Sequence, residues 1–100
     1  MAKLIPTVFD WDLWNIQKNE LKHGISALEA ESSFADEQHV IFDDLKHSTE
    51  TEKRYIMYAR SMESRILMLG FTVRKKKIRI ITARPASRKE RSIYEKEKRD

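Results

Sequence analysis

Arg65-Ile66-Leu67-Met68-Leu69-Gly70-Phe71-Thr72-Val73-Arg74, then Lys75-Lys76-Lys77, then Ile78-Arg79-Ile80-Ile81-Thr82-Ala83-Arg84-Pro85, is the stretch that decides the fold. Leu67, Leu69, Phe71 and Val73 recur every second residue, the period of a strand with one buried face. The lysine run interrupts the apolar pattern and reads as a turn. Ile78 to Arg84 then forms the return strand, ended by Pro85. Upstream, Lys53 to Arg60 alternates Arg54, Ile56 and Tyr58 against Tyr55, Met57 and Ala59, and Ser61-Met62-Glu63-Ser64 reads as the turn that follows. Three consecutive antiparallel strands make a meander.

Register follows from turn length. A two- or four-residue loop around Lys75-Lys76 pairs Val73 with Ile78 and Thr72 with Arg79. A four-residue loop at Ser61–Ser64 pairs Arg60 with Arg65 and Ile56 with Leu69. One face then carries Ile56, Tyr58, Leu67, Leu69, Phe71, Val73, Ile78 and Ile80, a core to be covered by helices. The other carries Tyr55, Met57, Met68, Gly70, Thr72, Arg74, Arg79 and Ile81. An odd-length loop exchanges the two sets.

Further toward the N-terminus, Leu4 to Trp11 reads as a short strand or extended anchor. Asp12 is an N-cap and Gly24 a C-terminal stop, bounding a helix with Leu13, Trp14, Ile16 and Leu21 on an apolar arc. Asn15, Lys18, Asn19 and Lys22 lie opposite. Ser26 with Glu29 is a capping box opening a second helix that ends near Phe34 or Ala35. His39 to Phe42 is a short strand. Asp43 to Glu52 lacks periodicity and reads as a mobile, solvated acidic loop. Ser87 with Glu90 is a second capping box, opening a charged helix through Tyr94. The expected architecture is α+β, with two N-terminal helices packed on a small antiparallel meander and a short C-terminal helix. It forms one domain over residues 1–100, its ordered core about residues 4–95.

Charge is unevenly distributed. Residues 1–50 hold four lysines and ten acids, a net of −6; residues 51–100 hold 16 basic residues and six acids, a net of +10. All nine arginines lie in the second half, and Arg74 to Arg91 contains nine basic side chains and one acid, Glu90. Such a field attracts polyanions, and a flat basic face bearing an aromatic suits single-stranded RNA. The chain has no cysteine, which removes disulfides, thiolate zinc sites and thiol nucleophiles. His23, His39 and His47 are scattered without helical ligand spacing. No apolar run approaches the ~18 residues of a membrane span. The sequence therefore reads as a cytoplasmic protein without cofactor or metal.

Phe9-Asp10-Trp11-Asp12, then Asn19 and Lys22-His23-Gly24-Ile25-Ser26, then Ala30 and Phe34, are similar to the first half of the BrnT toxin family. Thr72-Val73-Arg74, Ile78-Arg79-Ile80-Ile81-Thr82-Ala83-Arg84, Ala86, Glu90-Arg91 and Tyr94 resemble its second half. Three places depart from the pattern. Lysines stand where the family commonly has a turn glycine, Pro85 where a second basic residue is usual, and Ala59-Arg60 where a strand often ends in glycine. The resemblance implies a RelE-like fold and a type II toxin. It implies a ribonuclease that halts translation, neutralised by a small DNA-binding BrnA-like antitoxin. The expected assembly is a hetero-oligomer with two of each chain, touching DNA only through the antitoxin, with no membrane partner.

RNA cleavage without a metal needs a base for the 2′-hydroxyl, cations for the phosphorane and an acid for the leaving oxygen. Candidates for catalysis are Arg74, Arg79, Arg84, His23, Glu90 and Tyr94; candidates for RNA binding are Lys22, Tyr55, Lys75, Lys76, Lys77, Arg88 and Arg91. Arg74 and Arg79 on one face would clamp a phosphate bidentately, or merely pad strands with charge. Arg84 has Glu90 as an alternative partner. His23 suits acid–base work or simply a helix C-terminus. The capping box accounts for Glu90 without catalysis. Tyr94 would stack on a base, donate a proton or cover the sheet edge. An antitoxin would mask the open face, whose arginines lie beside Tyr55, Met57, Met68 and Ile81. A non-catalytic RNA- or protein-binding module using the same basic face is the competing function. Cleavage in EDTA separates it from a nuclease.

Overall fold

The computed structural model describes residues 8–97. Its elements are α1 (Leu13–His23), α2 (Ala27–Ser32), a 3-10 turn (Ser33–Ala35), β1 (Val40–Asp43), β2 (Arg54–Arg60), β3 (Ile66–Arg74), β4 (Lys77–Pro85) and α3 (Arg88–Glu97). The strands form one antiparallel sheet in chain order, β1-β2-β3-β4. This is the expected α+β meander with a fourth strand from the His39–Phe42 region. Leu4 to Thr7 of the proposed N-terminal anchor lies outside the described residues. Within them, Phe9 forms a parallel bridge to Ile78. No helix among the described residues is long and apolar enough to cross a membrane.

The β3–β4 hairpin pairs Val73 with Ile78 and Thr72 with Arg79, as the two-residue loop requires. Lys75 and Lys76 take φ of 50° and 66°, the left-handed values of a tight hairpin turn. A bulge at Gly70/Phe71 then shifts the ladder, so that Thr82 opposes Gly70 and Ala83 opposes Leu69.

The β2–β3 register corrects the sequence expectation by one residue. Arg60 pairs with Ile66, and Ile56 with Gly70. The connection is a turn closed by Ser64 N–H to Ser61 O at 2.9 Å and by Ser61 N–H to Arg65 O at 2.9 Å. Ser64 sits at φ 64°. This is a type I turn followed by a left-handed residue, which inserts one residue and turns every β2 side chain over. Tyr55, Met57 and Ala59 therefore face the core, and Arg54, Ile56 and Tyr58 the open side.

The core gathers Ile25, Ala30, Met57, Ala59, Leu67, Leu69, Phe71, Ile80 and Ala83, with Phe9, Trp11, Phe34, Tyr55 and Ile78 around it. Phe34 meets Phe9 and Phe71 edge-on, and Tyr55 stacks on Phe71 with centroids 5.3 Å apart. Glu29 ties α2 to the β2–β3 turn. Its carboxylate accepts two hydrogen bonds from Arg65, each 2.7 Å, and one from Ser61 Oγ. Ser26 caps α2, but this placement takes the Glu29 side chain away from the predicted reciprocal cap. The Arg65 bonds lead, over the opposing cost of burial, in holding its carboxyl below the usual range.

α1 corrects a second expectation. Leu13, Trp14 and Leu21 of its supposed core arc are 66%, 67% and 88% exposed, whereas Asn19 is buried. The reason is that α1 lies along the free edge of β4, not across the apolar face. An edge strand presents backbone donors and acceptors that need partners. Asn19 Oδ1 accepts from Ala83 N–H at 3.2 Å, and Lys18 Nζ donates to Ile81 O at 3.2 Å. Residues 8–10 complete the seal through Ile78 N–H to Val8 O and Asp10 N–H to Ile78 O. Polar residues turn inward because the surface they meet is backbone.

Candidate active site on the open face of the sheet

Cross-strand pairing puts Arg54, Thr72 and Arg79 in one row on the face opposite the core. Each flanking arginine is already held by carboxylate. Arg79 reaches Asp10 at 3.2 Å and Asp12 at 3.9 Å, in the segment leading to α1. Arg54 and Arg74 share Glu52, Arg54 Nε on one carboxylate oxygen at 2.8 Å and Arg74 on the other at 2.7 Å. Arg74 first and Arg54 second keep the Glu52 carboxyl below its ordinary range. Arg74 and Arg79 are thus engaged on different acids, and the expected two-arginine clamp is not assembled.

At the other end of the same face, Arg84 makes two 2.8 Å bonds to Glu90. Glu90 also accepts from Ser87 N–H, while Ser87 Oγ accepts from Glu90 N–H, so the capping box is complete. The bond to Arg84, against the opposing effect of burial, lowers the Glu90 carboxyl, and the same bond raises Arg84. Glu90 is an ionised anchor for α3.

Tyr94 is buried and donates to Asp36 at 2.7 Å. Burial, then that bond, pushes its hydroxyl up to about 12. Asp36 also accepts from the backbone N–H groups of Arg60 and Gln38. Burial opposes its ionisation, but these bonds outweigh it and hold the carboxyl below its usual range. Tyr94 therefore locks α3 to the sheet. Tyr55 turns into the core stack as the register dictates, and Met57 is 1% exposed, so the mixed patch expected to draw an antitoxin is not formed.

His23 is half-buried at the end of α1, its pKa lowered by burial first, then by Lys22, Arg84 and Lys18. Lys22 is exposed on the same helix. Lys75, Lys76 and Lys77 are exposed at the β3–β4 tip; Arg88 is exposed on α3, and Arg91 bonds the Ala86 carbonyl. These cations surround the open face without converging on one point.

What does converge was missed by the sequence reading. A cavity of about 310 Å³ opens on this face, lined by Asp44, His47, Arg54, Tyr55, Ile56, Met68, Gly70, Phe71, Ile81 and Thr82. Gly70 lies opposite Ile56 and Thr82, and a Cβ there would meet nothing nearer than Thr82 Cβ at 3.7 Å. The loop before β2, taken for solvated acid, is pinned to the strand. Asp44 N–H donates to Arg54 O, Arg54 N–H to Ser48 Oγ, and Ser48 Oγ to Asp44 O, all at 2.8 Å. His47 Nδ1 lies 2.8 Å from Asp44 Oδ2. The Asp-x-x-His spacing beside an arginine-bearing strand was the available signal. Among the described residues no three His, Asp or Glu side chains gather as metal ligands would.

The arrangement offers cations for phosphate, an imidazole oriented by a carboxylate, and a partly apolar recess of about 310 Å³. Among curated proteins none matches the chain. The family model described as the ribonuclease toxin BrnT of type II toxin–antitoxin systems matches residues 11–90, from Trp11, just before the Asp12 cap of α1, to the Glu90 anchor. The chain belongs to the BrnT family of ribonuclease toxins.

Proposed function

We propose that this protein is a metal-independent RNA endonuclease of RelE-like fold whose substrate crosses the open sheet face. The observation that carries this reading is the cavity on the arginine-bearing face, with Arg54 at its wall and Gly70 on a strand lining it. RNA supplies its own nucleophile, the 2′-hydroxyl, so cleavage needs no metal-bound water. It needs instead a proton acceptor and a cation at the phosphate. Arg54 keeps both terminal guanidinium nitrogens for phosphate while its Nε holds Glu52. Thr82 adds a hydroxyl, and the lysines of the hairpin tip steer the strand. Arg74, Arg79 and Arg84 contribute field and support the surface; Lys22, Arg88 and Arg91 extend it.

In the cell the reaction cuts translated RNA in the cytoplasm and arrests growth. A cognate BrnA-like antitoxin covers the toxin in a complex with two of each chain, and contacts DNA on the toxin's behalf. The test is incubation of purified protein with a single-stranded RNA and its 2′-deoxy analogue in excess EDTA. Cleavage confined to the ribo-oligonucleotide, leaving a 2′,3′-cyclic phosphate, is the expected result. A mobility shift with both strands intact would favour a binding module.

A further inference from the structure

From the geometry of the same cavity we infer that His47, oriented by Asp44, is the catalytic base that takes the proton from the attacking 2′-hydroxyl. The inference rests on the ribonuclease reading and adds a residue to it. His47 lines the cavity together with Arg54 and Thr82. Its Nδ1 is engaged by the Asp44 carboxylate at 2.8 Å. A carboxylate on Nδ1 selects the tautomer with the proton there and leaves the Nε2 lone pair for substrate. The Asp44 side chain is 16% exposed and the His47 side chain 60%. The orienting acid is sheltered while the imidazole remains open to a polymer. The Ser48 bonds to β2 fix the loop, so the dyad keeps its place relative to Arg54.

The step balances without a co-reactant. The 2′-hydroxyl proton moves to His47 Nε2 as the 2′-oxygen forms a bond to phosphorus. The bond from phosphorus to the 5′-oxygen breaks, and its electron pair leaves on that oxygen, which takes a proton from water. The imidazolium returns its proton through solvent to the hydroxide so formed. The products are a 2′,3′-cyclic phosphate and a 5′-hydroxyl. Arg54 balances charge on the phosphorane. No other candidate combines these features: His23 ends α1 beside Lys22 and is not among the residues lining the cavity, Tyr94 is buried on Asp36, and Glu90 is held by Arg84.

The ionisable side chains beside His47 at the cavity are Asp44 on its own loop and Arg54 on β2; Tyr55 lines it from β2 with its ring turned into the core stack. The β3 and β4 residues lining the cavity, Met68, Gly70, Phe71, Ile81 and Thr82, contribute none. The test compares wild type, His47→Ala, His47→Gln and Asp44→Asn on one single-stranded RNA across pH, with circular dichroism on each. His39→Ala, a histidine whose Nδ1 rests on the Asp36 carbonyl, is the control. Wild type should show an ascending acid limb in its rate profile. His47→Ala and His47→Gln should lose on the order of 10²–10⁴-fold in rate and that limb with it. Added imidazole should restore part of the rate to His47→Ala alone. Asp44→Asn, a positioning change, should lose about 10-fold yet keep the limb. A folded His47→Ala or His47→Gln that cleaves within about threefold of wild type, limb intact, would overturn the assignment. A wild type that binds RNA and never cleaves it would overturn the ribonuclease reading beneath it.

Discussion

The two faces of the sheet are built from the same four strands and obey opposite rules. The core face stacks Met57, Leu67, Leu69, Phe71 and Ile80, nearly sealed from solvent, with aromatic contacts running from Phe9 to Tyr55. The open face pairs its arginines with carboxylates and leaves a cavity beside Gly70. The contrast teaches that stability and chemistry are separated by strand alternation. A residue's parity in the ladder decides which of the two it serves.

That separation predicts the largest effects in opposite assays. Leu67→Ala removes a fully buried side chain and should destabilise by about 2–5 kcal/mol, read in urea or thermal unfolding, with cleavage falling only as folded protein is lost. Gly70→Leu projects into the cavity without a backbone clash. It should abolish cleavage while unfolding stays within about 1 kcal/mol of wild type. Loss of fold in Gly70→Leu would mean that the two faces are not independent.

A smaller effect concerns acid. Glu29, Asp36 and Glu90 all titrate below their ordinary range in the folded protein. Their contribution is present above the carboxylate range of the unfolded chain and is lost as pH falls through the folded values. Stability measured against pH should therefore drop on the acid side. Glu29→Gln should be less stable than wild type at neutral pH and show a shallower acid decline. An unchanged slope would remove the Glu29–Arg65 tie from the account.

Turns give smaller effects still. Ser64 and Lys76 hold left-handed backbone that disfavours a β-carbon by roughly 1–2 kcal/mol. Ser64→Gly and Lys76→Gly should each raise stability by up to about 1 kcal/mol. No gain at Ser64 would question the turn that sets which face β2 presents. Smallest is Leu21→Lys on the outer side of α1. It should change stability by less than about 0.5 kcal/mol, because that side chain is 88% exposed; a large loss would put α1 back across the core.

These turns also explain what was legible in the sequence. Val73 opposite Ile78 could be read because both loop lengths considered around Lys75-Lys76 have the same parity. The Ser61–Arg65 turn could not, because its left-handed position is occupied by serine and no glycine marks the extra residue. That one residue exchanged Tyr55 and Met57 for Ile56 and Tyr58, and with them the supposed site. α1 was misread because amphipathic periodicity identifies two sides without saying what each meets. Here the polar side meets the backbone edge of β4. Asp44 and His47 lay in a segment without periodicity, where spacing alone carries little information. The Ser87–Glu90 cap and the Arg84–Glu90 pair were readable because both are local.

The central claim is that RNA engages the open face at the cavity. The direct measurement is amide chemical-shift mapping of the protein with a non-cleavable 2′-O-methyl oligonucleotide. The largest shifts are expected at His47, Arg54, Gly70 and Thr82, with Ile25, Ala30 and Asn19 nearly still. Shifts confined to Lys75–Lys77 and α3, with the cavity residues unmoved, would contradict it.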